Sequence, residues 1–221
     1  MCENARCDTV KINMKTRNIN IANFFALSGL ISLTGFSQAK TAVVTPQPSS
    51  PSKATPSLQQ MALQAFGNGD TQAATQYAFQ MLKENTNRKA WYYGNTIHGA
   101  NQILGLAALR ERRTADARRY LIAAGKTPGS PQLDSFGPPM ALAQALLEKG
   151  EKDTVIQYLD LVSKFWASSS PQQLKRIEKR KPGFAKVVVR MDKEKQQKIN
   201  SWKTQIRAGK KPKLNDSGSI F

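Results

Sequence analysis

Between Leu58 and Val162 the apolar residues fall into six short stripes with helical spacing, several of them closed by a turn signal, and this constrains the fold most. Residues three and four apart share one face of a helix, so such a stripe reads as a helix with one face turned to a core. Leu58, Met61, Ala62, Ala65 and Phe66 form the first, and Gly67-Asn68-Gly69-Asp70 closes it. Ala73, Ala74, Tyr77, Ala78, Met81 and Leu82 form the second. Tyr93, Ile97, Ala100, Leu104, Ala107 and Ala108 form the third; Ala117, Leu121 and Ala124 form the fourth, with Thr114 as its expected cap. Met140, Ala143, Leu146 and Leu147 make the fifth, which Gly150 ends, and Val155, Tyr158, Leu159 and Val162 make the sixth. Ala, Leu, Gln and Lys dominate, all helix formers. The expected class is all-α.

Six stripes make three helix pairs that can be laid over one another. Small residues stand where helices of a pair would cross: Ala62, Gly105 and Ala143, then Ala65 and Ala108, then Ala74 and Ala117. This pattern resembles the tetratricopeptide repeat, a pair of antiparallel helices that stacks into a solenoid. Departures are visible. Leu146 and Val155 stand where small residues are wanted, Arg112 stands where a turn glycine is wanted, and the closing proline appears only as Pro128. Ala62 to Gly105 is 43 residues and Gly105 to Ala143 is 38, against about 34 in the family. The units are therefore degenerate. The stretch Trp91–Trp166 also resembles uncharacterised exported bacterial proteins of this helical-repeat kind. The likeness implies a helical-hairpin solenoid over residues 57–166, followed by capping helices over 167–208.

The flanks differ in character. Met14 precedes Lys15 and Arg17, then the apolar run Ile21–Phe36, then Ser37 and Ala39 in a small-x-small arrangement. That order is an export signal, expected over residues 1–39 with a start at Met14 and cleavage after Ala39. It places the protein in the periplasm or outside the cell. Residues 40–56 hold four prolines among Ser and Thr, a composition that buries too little apolar surface to order itself. The C-terminal side is basic: fifteen Lys/Arg between Lys175 and Lys213 face only Glu178, Asp192 and Glu194. Gln172–Lys181 reads as a short basic helix that Pro182-Gly183 breaks. Phe184, Val187, Val188, Met191, Ile199, Trp202 and Ile206 then trace a long amphipathic helix, with Val187–Val189 the one place where a strand could intrude. Residues 209–221 read as a loose tail.

Function classes narrow on composition. Cys2 and Cys7 are the only cysteines and His98 the only histidine, which leaves no zinc-ligand spacing and no Cys–His pair beyond Met14. No metal site and no cofactor is expected. Gly125-Lys126-Thr127 ends like a phosphate loop, but Tyr120 stands where its first glycine belongs and a helix precedes rather than follows it. Gly125 is instead expected to end that helix in the left-handed conformation, and the following Pro-Gly-Ser-Pro stretch to form a turn-rich loop in which Asp134 or Ser135 starts the next helix. No nucleotide partner is expected, and no nucleic acid.

Asn95, His98 and Gln102 lie together opposite the third apolar stripe, bordered by Tyr92 and Asn101. In the repeat family the corresponding helix lines a concave peptide-binding surface, so these five residues are the expected peptide groove, and carboxamides suit an extended backbone. The alternative use of Asn95 and His98 is to hold the Gly129–Gln132 loop. Lys186, Arg190, Lys193 and Lys198 are the expected contacts to an anionic lipid or polysaccharide of the envelope. The sequence thus points to a non-enzymatic protein- or peptide-binding module, with envelope attachment through the basic helix as its alternative.

Overall fold

A computed structural model of the chain describes residues 56–214. The expected export signal, nearly all of the proline-rich linker and the end of the tail lie outside them. The described residues contain nine helices and no strand: α1 (Leu58–Gly67), α2 (Thr71–Glu84), α3 (Tyr93–Arg110), α4 (Thr114–Gly125), α5 (Pro131–Phe136), α6 (Ala141–Glu148), α7 (Lys152–Trp166), α8 (Pro171–Arg180) and α9 (Phe184–Arg207).

N-cap side chains account for four of the nine helix starts, those of α1, α2, α5 and α8. Ser57 and Gln60 form a capping box at α1, each side chain bonding the other's backbone N–H, at 3.2 and 2.8 Å. Ser170 and Gln173 repeat it at α8, where Pro171 occupies the first turn. Asp70 caps α2 through Ala73 N at 2.9 Å. Two helices start differently from expectation. Thr114 is the first residue of α4 rather than its cap, and its neighbour Arg113 supplies no side-chain cap. Ser130 caps a six-residue helix, α5, inside what reads as a loop; Pro131 follows it at the position where a missing N–H costs nothing.

α1 to α4 pack mainly on their neighbours in the chain; beyond them α7 packs mainly on α4 and α9, α5 on α7 and α3, and α6 on α4, α7 and α3. Two apolar clusters result. One joins α1, α2 and the middle of α3 around Ala62, Ala74, Ala78, Met81, Ile103 and Leu104. The other joins α4, α6, α7 and the end of α9 around Leu121, Leu142, Leu146, Tyr158, Leu159, Ile199 and Ile206. Tyr120 touches both.

Two glycines show how tightly the helices cross. A Cβ on Gly105 would lie 2.1 Å from Leu142 Cδ2, so the glycine is what lets α3 and α6 approach. Gly125 corrects the expectation made for it. It is not left-handed; it is the last helical residue of α4, buried, with Tyr158 and Leu161 about 3.0 Å from where its Cβ would be. Packing of α7, not helix termination, is why this position is a glycine. Val187–Val189 is helical, within α9.

Candidate functional site

The five residues expected to line a peptide groove do not share a surface. Tyr92 is exposed, stacked edge-on against Trp91 with ring centroids 5.7 Å apart. His98, Asn101 and Gln102 are buried. Asn95 is half-buried: its Nδ2 donates to Gln132 Oε1 at 2.6 Å, and its Oδ1 accepts from Ser130 Oγ. The groove expectation fails here because α3 is covered on its polar side too, by α5, α6 and α7.

Each buried polar group has a structural task. Gln102 Oε1 accepts from Leu142 N at 3.1 Å, in the first turn of α6, whose N-cap position, Met140, carries no capping side chain. Gln102 thus satisfies one of the orphan N–H groups that every helix start exposes. Its Nε2 has no hydrogen-bond partner among the described residues. Asn101 Nδ2 donates to Ile97 O at 2.8 Å. His98 Nε2 and Tyr158 Oη share a hydrogen bond of 2.9 Å between α3 and α7. Burial pushes the His98 pKa down to about 3, and the same burial pushes the Tyr158 phenol up. His98 is neutral at any physiological pH, held as a core hydrogen-bonding group. Asn95, by contrast, does hold the loop after Gly129, together with Thr127 Oγ1, which donates to Gly94 O at 2.9 Å.

Lys186, Arg190, Lys193 and Lys198 are all exposed on α9. Arg190 Nε lies 3.9 Å from Glu194 Oε1, and the Lys198 ammonium stands 5.1 Å from the centre of the Trp202 ring.

The long apolar stripe of α9 divides. Its second half, Ile199, Trp202 and Ile206, is buried in the core. Its first half, Phe184, Val188 and Met191, is only partly covered, with Val188 half-buried. With Phe165 and Trp166 of α7 and Ile177 of α8 it lines a cleft of about 590 Å³. Phe184 is 37 % and Met191 41 % exposed. Arg176, Arg180 and Lys195 stand among the lining residues with Asp134 and Asp192. Lys195 Nζ donates to Asp134 O at 2.7 Å, and Asp192 Oδ2 accepts from Ser169 N at 2.9 Å. Burial holds the Asp134 carboxyl above its ordinary range, against the N–H of Ser130 and the charge of Lys195. Sequence reasoning did not single out this cleft. The signal that carries it is Phe184, Val188, Met191 and Lys195 at i, i+4, i+7 and i+11 on α9, opposite Gln173, Arg176, Ile177 and Arg180 on one arc of α8. By helical geometry Lys186, Arg190 and Lys193 lie about half a turn round α9 from the cleft, so they form a separate surface.

No group of three or more His, Cys, Asp or Glu among the described residues is arranged to hold a metal ion. No described helix is long and apolar enough to cross a membrane. Comparison with protein-family models, curated proteins and solved structures finds no match.

Proposed function

We propose that the protein is an exported, non-enzymatic binding module on a scaffold of degenerate tetratricopeptide-like helix pairs, and that it takes a protein or peptide segment in the α7–α9 cleft. The observation that carries this is the cleft itself, where aromatic and aliphatic side chains of α7, α8 and α9 stay partly exposed although the same apolar stripe of α9 is buried further along, at Ile199, Trp202 and Ile206. Monomeric proteins rarely leave a contiguous apolar surface uncovered without a use for it. The repeat reading is supported by the packing of its small residues: Ala62, Ala74, Ala108, Ala117 and Ala143 are completely buried.

The test is to pan a displayed library of random peptides against the full-length protein and against its Val188→Asp variant, checked for fold by circular dichroism. Peptides enriched on the protein and lost on the variant support the reading. Absence of any such cleft-dependent peptide overturns it. A second reading has its own observation, the exposed row of Lys186, Arg190 and Lys193 on the outward face of α9. It makes α9 an attachment to anionic lipid or polysaccharide. Under that reading, sedimentation with phosphatidylglycerol vesicles disappears when these three residues are changed to Glu, and the cleft variant has no effect.

A further inference from the structure

From the charge balance around the cleft we infer that its occupant is an acidic amphipathic helix, with apolar anchors on one face and carboxylates one turn apart beside them. This rests on the reading of the cleft as a peptide site and names its partner chemistry.

The argument begins with the carboxylates. Arg176, Arg180 and Lys195 are the cations that line the cleft; the acids that line it are Asp192 and Asp134, which accepts from Ser130 N at 3.4 Å, and Glu178 and Glu194 stand elsewhere on α8 and α9. Each acid is engaged within the protein. Glu178 accepts from Gly183 N at 2.8 Å and Ala185 N at 3.3 Å, and so caps the start of α9. Asp192 accepts from Ser169 N, and Glu194 stands by Arg190. Arg176 and Arg180 are exposed and pair with no carboxylate among the described residues. Two guanidinium groups are therefore presented at the lip of the cleft without an ion pair, while the two acids in its lining, Asp134 and Asp192, are held by the backbone N–H groups of Ser130 and Ser169.

Spacing then selects the partner. Arg176 and Arg180 are four residues apart on α8, about 6 Å along its axis. A helix with Glu at i and i+4 repeats at the same distance, and each carboxylate can take a guanidinium through two parallel hydrogen bonds. The line Phe184, Val188, Met191, Lys195 runs about 16 Å along α9. That length fits two to three turns of a partner helix whose anchors fall at i, i+3/i+4 and i+7, the usual register for a helix in a groove. Lys195, whose ammonium is bonded to Asp134 O, adds positive charge at the far end of that line.

The experiment uses a displayed library of 16-residue peptides with Leu or Phe at i, i+3 and i+7. Glu, Gln and Lys are allowed equally at the flanking positions. The best binder and its Glu→Gln counterpart are then measured by fluorescence anisotropy on the full-length protein in 100 mM NaCl. Glu should be enriched, and the Gln counterpart should bind at least tenfold more weakly. The Arg176→Glu/Arg180→Glu protein should lose the acidic peptide and gain its Lys counterpart. This swap separates charge recognition from misfolding, because a misfolded protein gains nothing. Equal binding of Glu and Gln peptides, both lost on Val188→Asp, overturns the acidic partner while the peptide site survives. Failure of every peptide to bind overturns both. Binding of phosphatidylglycerol vesicles that Val188→Asp abolishes, with no peptide bound, assigns the cleft to a membrane surface instead and also overturns the proposal.

Discussion

Replacing Gly105 by Ala adds one methyl group at the place where α3 crosses α6. Helix propensity alone favours the change by about 1 kcal/mol. Geometry opposes it. The new Cβ would lie 2.1 Å from Leu142 Cδ2, 3.0 Å from Cδ1 and 3.1 Å from Cγ. Leu142 is completely buried, so its side chain cannot swing into solvent. Either it leaves its rotamer or the two helices separate, and such overpacking costs about 1–3 kcal/mol. The net change is a loss of about 0–2 kcal/mol, read from urea unfolding followed at 222 nm, and Gly105→Leu should lose more. The sharper measure is the double mutant. Leu142→Ala alone should cost about 2–5 kcal/mol through the cavity it leaves. Combined with Gly105→Ala, which fills part of that cavity, the total should fall short of the sum by at least about 1 kcal/mol. If Gly105→Ala stabilises by its full propensity and the two changes add, the close crossing of α3 and α6 is refuted.

Other consequences follow from buried polar groups and backbone contacts. His98 has a folded pKa of about 3 against an ordinary value near 6.5, so the unfolded chain binds the proton more readily. Its contribution to stability is full above about pH 7 and is lost as pH falls from 6.5 towards 3, by about 2 kcal/mol already at pH 5. His98→Gln should flatten stability between pH 7 and 5, and an unchanged slope would assign the dependence elsewhere. Tyr158→Phe should cost about 1–3 kcal/mol in urea unfolding, because it leaves the buried His98 without its partner at 2.9 Å. Gly94→Ala should be at least as damaging, at about 3 kcal/mol, since its Cβ would meet the backbone oxygen of Gly129 at 1.9 Å and backbone cannot rotate away. Lys126→Ala should leave any ATP titration unchanged; specific binding that it abolished would contradict the absence of a phosphate loop.

The helices were legible where the apolar stripe was long, whether a Ser or Asp cap preceded it, as at α1 and α2, or no side-chain cap did, as at α3 and α7. α5 was not, because Gly129, Pro131, Gly137, Pro138 and Pro139 all signal turns and only six residues lie between them. The face shared by Asn95, His98 and Gln102 follows from their spacing, but spacing cannot say what covers a face. The cover comes from Gln132, Leu142 and Tyr158, between 37 and 60 residues away in the chain. Polar residues on a central helix look the same in sequence whether they meet solvent or cap a neighbouring helix. The α9 stripe poses the converse problem. Phe184, Val188 and Met191 have the same pattern as Ile199, Trp202 and Ile206, and only the path of α7 and α8 decides which half is buried. The close crossing at Gly105 and the burial of Ala62 and Ala117 were legible because small residues at helical spacing mark faces turned to a neighbouring helix.

The claim that the α7–α9 cleft is the binding site is tested most directly by titrating ¹⁵N-labelled full-length protein with the best cleft-selected peptide. Amide shifts should concentrate on residues 165–195, with Ser168, Ser169, Ile177, Val188 and Met191 among the largest. The α3 amides from Tyr93 to Gln102 should stay where they are. Shifts centred on Tyr92 to Gln102, with the α8–α9 amides unmoved, would contradict the account and return the site to the face that the structure shows covered.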